Sequence, residues 1–272
     1  MGRFSRGLQL IKLSFGVIKK DKEILLFPVI SGIAIIAIAL SFIVPFIFFG
    51  AFSSTGELDI VFAVFWVAFY FVSFFITIFF NVAIVGCALM RLDGGDPTFG
   101  YGIKYALERV RYILLWTLVA ATIGLILRAI SERSGLIGKI VIGFIGLAWS
   151  IATYFVIPVI AAEKLTPFQA LKRSVSILKS SWGEALVSNL GIGLIFGLLA
   201  LLGVLIVILG FAVGGIIGGI ICLMIAVIYW VFLAVLQTAV SGVLMAALYR
   251  FATTGKTSED FPAHVLSNPW TL

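Results

Sequence analysis

Charge is in short supply in this chain. Only 11% of its 272 residues are Asp, Glu, Lys or Arg, and 62% are hydrophobic. A soluble domain of this size needs far more polar surface, because folded domains keep much of their area in water, so a soluble fold is excluded. Histidine is almost missing: His264 is the single one, in the polar C-terminal stretch. The two cysteines, Cys87 and Cys222, sit inside apolar runs, far from any metal-ligand spacing, and indicate no disulfide framework. No carboxylate pair falls in an apolar run, and no serine or cysteine has a base nearby in sequence. The expectation is a non-enzymatic protein with no catalytic residue, no cofactor and no metal.

What the chain has is long apolar runs. Stretches of about 18 or more apolar residues recur throughout, the length a helix needs to cross a bilayer. They predict an all-α integral membrane protein, one transmembrane domain over 1–272, with six spans at about 24–52, 60–90, 113–130, 136–162, 185–209 and 216–249. The first run is too long for the apolar part of a signal peptide and reads as a retained span. Pro28 and Pro45 lie near its two ends, where proline sets a helix start or a kink. Gly191, Gly193 and Gly197, like Gly214, Gly215, Gly218 and Gly219, lie in apolar runs with no strand. They read as close helix packing rather than a nucleotide loop, and a corner is expected over 210–215.

Three further stretches, about 3–20, 97–112 and 167–181, alternate apolar and basic residues at helical spacing. Their apolar positions are Phe4, Leu8, Ile11, Phe15 and Ile18; Phe99, Ile103, Ala106, Val110 and Ile113; and Phe168, Leu171, Val175, Leu178 and Trp182. Asp96-Pro97 and Thr166-Pro167 supply a capping side chain followed by proline, a helix-start signal. Basic amphipathic helices lie at the headgroup level of anionic membranes. The candidate headgroup contacts are Arg3, Arg6, Lys12, Lys172, Arg173 and Lys179. The expected partners are membrane lipids, with no nucleic acid.

Six spans place sixteen of the 19 lysines and arginines on one side, leaving Arg128, Arg133 and Lys139 opposite. The positive-inside rule then puts both termini in the cytoplasm of a multi-pass cell-membrane protein. Each pair of spans follows one basic helix, over 3–90, 97–162 and 166–250, which predicts a parallel threefold internal repeat.

The stretch YFVIPVIAAEKLTPFQALKRSVSILKSSWGEAL (154–186) carries Pro158, Glu163, Ala170, Leu171 and Ser174, followed by Trp182-Gly183. This resembles a pattern of the superfamily that includes glycerophosphodiester phosphodiesterase membrane domains. With KDKEILLFPVISGI (20–33), FFNVAIVGCALMRLDGGDPT (79–98) and SGVLMAALYRFATTG (241–255), the whole chain resembles an uncharacterised prokaryotic six-span family in that group. The phosphodiesterase domain is missing here, so the resemblance implies a membrane fold and no such activity.

Polar residues inside the spans are the remaining clue. Thr77, Asn81, Asn189, Gln237, Thr238 and Ser241 all map to the cytoplasmic halves of spans 2, 5 and 6. In lipid such groups must find partners, so they are either interhelical ties or the lining of a polar vestibule. Two function classes stay open. One is a passive transporter or channel for a small solute or lipid, working as an oligomer. The other is a membrane-organising scaffold that binds anionic lipid or a partner protein through its basic helices. The spans hold no carboxylates to relay protons, which argues against a coupled pump.

Overall fold

The computed structural model describes the backbone of residues 3–50 and 58–262, and the side chains of 8–44, 64–179 and 192–262. Eight α-helices and one 3-10 turn, Lys22–Leu25, account for the described fold, and no strand occurs among the described residues. The α-helices are α1 (Arg3–Lys20), α2 (Leu26–Gly50), α3 (Leu58–Leu92), α4 (Phe99–Leu107), α5 (Val110–Arg133), α6 (Leu136–Ala152), α7 (Val156–Glu163) and α8 (Pro167–Thr254). Among the described residues, five segments are long and apolar enough to cross a membrane: Lys22–Val44, Val64–Leu92, Val110–Arg133, Leu136–Glu163 and Ile192–Thr254. The chain is a multi-pass membrane protein.

The last of these segments is 63 residues long, roughly 95 Å as a straight helix, three times the hydrocarbon core. It does not run straight. The hydroxyl of Tyr229 donates to the carbonyl of Leu199 at 2.8 Å, and the indole N–H of Trp230 donates to Ala200 at 3.0 Å. Residues 30 apart touch only if the chain reverses between them. The reversal centres on Gly215, whose φ of +58° is a left-handed conformation that glycine adopts without strain. A Cβ on Gly218 would lie 2.8 Å from the Gly210 carbonyl oxygen, and one on Gly219 would fall within the Phe211 ring. Of the second glycine group, Gly218 and Gly219 do the close packing expected, while Gly214 and Gly215 have open space. Gly193 and Gly197 have open space where a side chain would be.

The chain forms two compact units. Unit 1 comprises Met1–Leu25, Ala88–Pro97 and Ser180–Leu272, and its core includes Leu10, Val17, Leu92, Val240, Leu244 and Phe261. Unit 2 comprises Leu26–Cys87 and Thr98–Lys179, with Phe27, Val82, Ile113, Phe155, Ile160 and Ala170 in its core. Burial is lopsided along the helices. In α3 the side chains of 64–68 are exposed and those of 82–88 buried; in α8 those of 211–217 are exposed and those of 246–249 buried.

Several boundaries and faces differ from the sequence expectations. Over 97–112 there are two helices, not one: α4 ends at Leu107 and α5 starts at Val110. The cap of α4 is Thr98, whose hydroxyl accepts from Tyr101 N–H at 3.2 Å, because Asp96 is taken by Arg91. The span at 136–162 breaks after Ala152, since Pro158 lacks the N–H that would bond the Tyr154 carbonyl. In α1, Leu8 is 44% exposed, and the buried stripe is Leu10, Ile11, Ser14, Val17 and Ile18. At the start of α8, Phe168 is 73% exposed, and Pro167, Ala170, Ser174, Ile177 and Leu178 are buried. Small and hydroxylated residues take the protein-facing stripe because they let backbones approach closely, which leaves part of the larger apolar set facing outward.

Candidate functional site

The charged groups that flank the spans divide into two populations, those that pair within the protein, arginines foremost, and a set of exposed lysines that do not. The division starts with helix ends. A helix leaves its last carbonyls without backbone partners, and a cation placed there is stabilised. In unit 2, the Ala161 carbonyl in the last turn of α7 accepts from the Tyr105 hydroxyl at 2.6 Å and from Nε of Arg109. Arg109 Nη1 also donates to the Tyr105 carbonyl at 2.8 Å, and the guanidinium lies 3.4 Å from the centre of the Tyr105 ring. Glu108, 3.4 Å from Arg109, balances its charge. These partners allow Arg109 to be only 7% exposed. Burial pushes the Tyr105 phenol up from its ordinary pKa, against the opposing pull of Arg109. Arg109 was expected only as one of the basic residues of 97–112. The signal that finds it is its place in the stripe Gly102, Ala106, Arg109 and Ile113, all of them buried.

Beside this node, Arg173 donates to Glu163 at 2.9 Å, and Lys164, in the left-handed conformation at φ 52°, lies 3.9 Å from Glu108. The Ser174 hydroxyl donates to the Ala152 carbonyl at 2.7 Å and accepts from Phe155 N–H at 3.0 Å. It thereby satisfies backbone groups freed by the α6–α7 break. Glu163 and Ser174 hold this elbow together, with Ala170 buried.

Unit 1 repeats the use of arginine. Arg91, at the end of α3, donates to Asp96 at 2.9 Å and lies 3.9 Å from Asp21. Arg250, near the end of α8, meets Asp93 at 2.7 Å, and Lys20 meets Asp260 at 2.5 Å. Phe261, next to Asp260, is 1% exposed and fastens the segment after α8.

Another set of lysines behaves differently. Lys12, Lys19, Lys22, Lys104, Lys172 and Lys179 are exposed and, among the described residues, form no ion pair. On α1, Lys12 and Lys19 share the outward side with Leu8 and the half-buried Phe15. On α8, Lys172 and Lys179 share it with Phe168 and the half-buried Leu171 and Val175. Of the expected headgroup contacts, Lys12, Lys172 and Lys179 are therefore open, and Arg173 is held by Glu163. The side chains of Arg3 and Arg6 lie outside the described residues.

The expected vestibule residues are dispersed between the units. Asn81 belongs to unit 2, while Gln237, Thr238 and Ser241 belong to unit 1. All four are half-buried. Thr238 donates to the Ala234 carbonyl of its own helix at 2.8 Å, as Thr77 does to Ser73 at 2.9 Å. Among the described residues, neither Asn81 nor Gln237 has a side-chain hydrogen bond. The Asn189 side chain lies outside the described residues.

Residues 59–259 match the sequence profile of DUF6159, a family of unknown function. No curated protein matches the chain.

Proposed function

The chain belongs to DUF6159, a family of unknown function, and on that footing we propose a non-catalytic membrane protein that organises anionic lipid at the cytoplasmic leaflet. The observation that carries this is the contrast on α8: Arg173 pairs with Glu163, while Lys172 and Lys179 stand exposed beside Phe168. Lysine is a strongly hydrated point charge on a long apolar stem, suited to a headgroup above an acyl chain. Each such charge near an anionic surface is worth about 1 kcal/mol. The outward side of α1 offers the same pairing of Leu8 with Lys12 and Lys19.

The proposal includes a topology. The reversal at Gly215 turns five apolar segments into six passes, and an even number returns both termini to the side that the basic residues mark as cytoplasmic. α1, α4 and the first turns of α8 are then interfacial helices, one per pair of spans, in keeping with a parallel repeat. The relation to the glycerophosphodiester phosphodiesterase membrane domains is part of the same reading, since the motif residues serve packing rather than chemistry.

A second reading, passive passage of a small solute or lipid through an oligomer, draws on one observation: Asn81 and Gln237 are half-buried and without hydrogen-bond partners among the described residues. The deciding experiment replaces Lys12, Lys19, Lys172 and Lys179 with glutamine and counts anionic lipids retained by the purified protein in native mass spectrometry. Loss of retained lipid with thermal stability unchanged supports lipid organisation. Unchanged retention, together with flux in liposomes that Asn81→Leu or Gln237→Leu abolishes, supports passage instead.

A further inference from the structure

Asp21 stands at the corner where α1 gives way to the 3-10 turn that follows it. Its N–H donates to Val17 at 3.0 Å, closing α1, and its carbonyl accepts from Ile24 at 3.2 Å, opening the 3-10 turn Lys22–Leu25. The side chain is only 6% exposed. Its Oδ2 has no hydrogen-bond partner. The nearest cation, Nε of Arg91, is 3.9 Å away, too far for a hydrogen bond. Arg91 is committed elsewhere, its Nη1 donating to Asp96 at 2.9 Å and to the Gly95 carbonyl at 3.2 Å.

The other charges around this corner are accounted for. Arg91 faces Asp21 from α3, Asp96 from the turn that follows α3, and Glu23 from the 3-10 turn. Lys20 is held by Asp260 and Arg250 by Asp93, while Lys22 is exposed. A buried carboxylate with one bare oxygen is costly when ionised and far less so when it carries a proton.

We propose that Asp21 is a proton-binding site that sets the joint between α1 and the 3-10 turn that follows it. With the proton on, Asp21 is neutral and Arg91 serves Asp96. With the proton off, the carboxylate must draw Nε of Arg91 in from 3.9 Å or admit water, and either shift moves the corner against the end of α3. Burial pushes the Asp21 carboxyl up from its ordinary pKa; Arg91 pulls it back, and Asp96 and Glu23 add to the rise. The folded chain therefore holds this proton more tightly than the unfolded chain does. The resulting stability is fully present below the ordinary carboxylate range and is lost as pH rises through the raised value. This joint is independent of what the lysines bind.

The test is thermal unfolding of the full chain in lipid nanodiscs across pH, for the wild type, Asp21→Asn and Asp96→Asn. Asparagine has the shape of the neutral acid, so Asp21→Asn should melt above the wild type near neutral pH, and the gap should close in acid. Asp96→Asn removes a negative neighbour and releases Arg91 toward Asp21, so the transition should move to lower pH. An infrared band of protonated carboxyl that persists above the ordinary carboxylate range in the wild type, and is missing in Asp21→Asn, would agree. An Asp21→Asn protein less stable than the wild type at every pH would overturn the proposal, since Asp21 and Arg91 would then be a fixed ion pair. A transition unmoved by Asp96→Asn would overturn it as well.

Discussion

The backbone N–H of Phe155 donates 3.0 Å to the hydroxyl of Ser174, 19 residues further along the chain. The same hydroxyl donates to Ala152, so one buried side chain satisfies both edges of the gap between α6 and α7. Irregular backbone beside a bilayer is tolerated only where protein supplies such partners. A serine on the next helix supplies them here.

Ser174→Ala should therefore cost about 1–3 kcal/mol, the range for leaving a buried polar group unsatisfied. The loss should appear as a lower unfolding temperature in detergent. An alanine variant as stable as the wild type would mean that water replaces the hydroxyl.

The seating of α4 gives a second prediction. A Cβ on Gly102 would lie 2.7 Å from Cys87 Sγ and within the ring of Phe27; one on Gly86 would fall within the Tyr105 ring. Gly102→Ala or Gly86→Ala should each destabilise by about 1–3 kcal/mol through overpacking. Gly16→Ala, where nothing lies within 4 Å, should leave stability unchanged or slightly raised. Equal melting of all three variants would contradict the close crossing of α3 and α4.

Gly215→Val tests the reversal. At φ +58° a β-branched residue costs at least about 1–2 kcal/mol, against almost nothing at Gly214, which has open space. The readout is a pair of cysteines at Leu199 and Tyr229, which a flexible bis-maleimide should cross-link efficiently in the otherwise native chain and less so with Gly215→Val. No cross-linking in the native background would sink the hairpin and the sixth pass with it.

These features were unequally legible in the sequence. Apolar runs depend only on composition, so five membrane-length segments are legible directly where the sequence predicts six spans, and the corner over 210–215 is legible as well. The break at 153–155 was harder. Pro158 signals it locally, but the group that makes it tolerable, Ser174, is remote in sequence. The amphipathic faces are legible only in part. Phe168 and Leu8 are exposed, as an apolar face turned to the membrane requires, whereas Ile11, Ile18 and Leu178 of the same expected faces are buried in the stripes that hold Ser14, Ala170 and Ser174. The place of Arg109 in the stripe of Gly102, Ala106 and Ile113 is a local signal, but its partner, the Ala161 carbonyl, lies 52 residues away and no local pattern reveals it.

Arginine and lysine should separate in mutagenesis. Arg109→Lys keeps the charge but loses the fork that joins Ala161 to the Tyr105 carbonyl, together with the stacking on the ring. It should lower the unfolding temperature by an amount equivalent to about 1–3 kcal/mol, the range for leaving a buried polar group unsatisfied, and leave lipid retention per folded molecule unchanged. Exposed Lys172→Gln should do the reverse. Identical behaviour of the two variants would erase the distinction on which the lipid reading rests.

The depth of the first turns of α8 in the membrane tests that reading most directly. Spin labels at cysteines replacing Phe168, Lys172 and Gln169, in vesicles containing anionic lipid, report depth through their relaxation by oxygen and by a water-soluble nickel complex. The account predicts that the Phe168 label lies at the edge of the hydrocarbon, the Lys172 label at the headgroups and the Gln169 label in water. Three labels relaxed equally by the nickel complex, whatever the lipid charge, would contradict it.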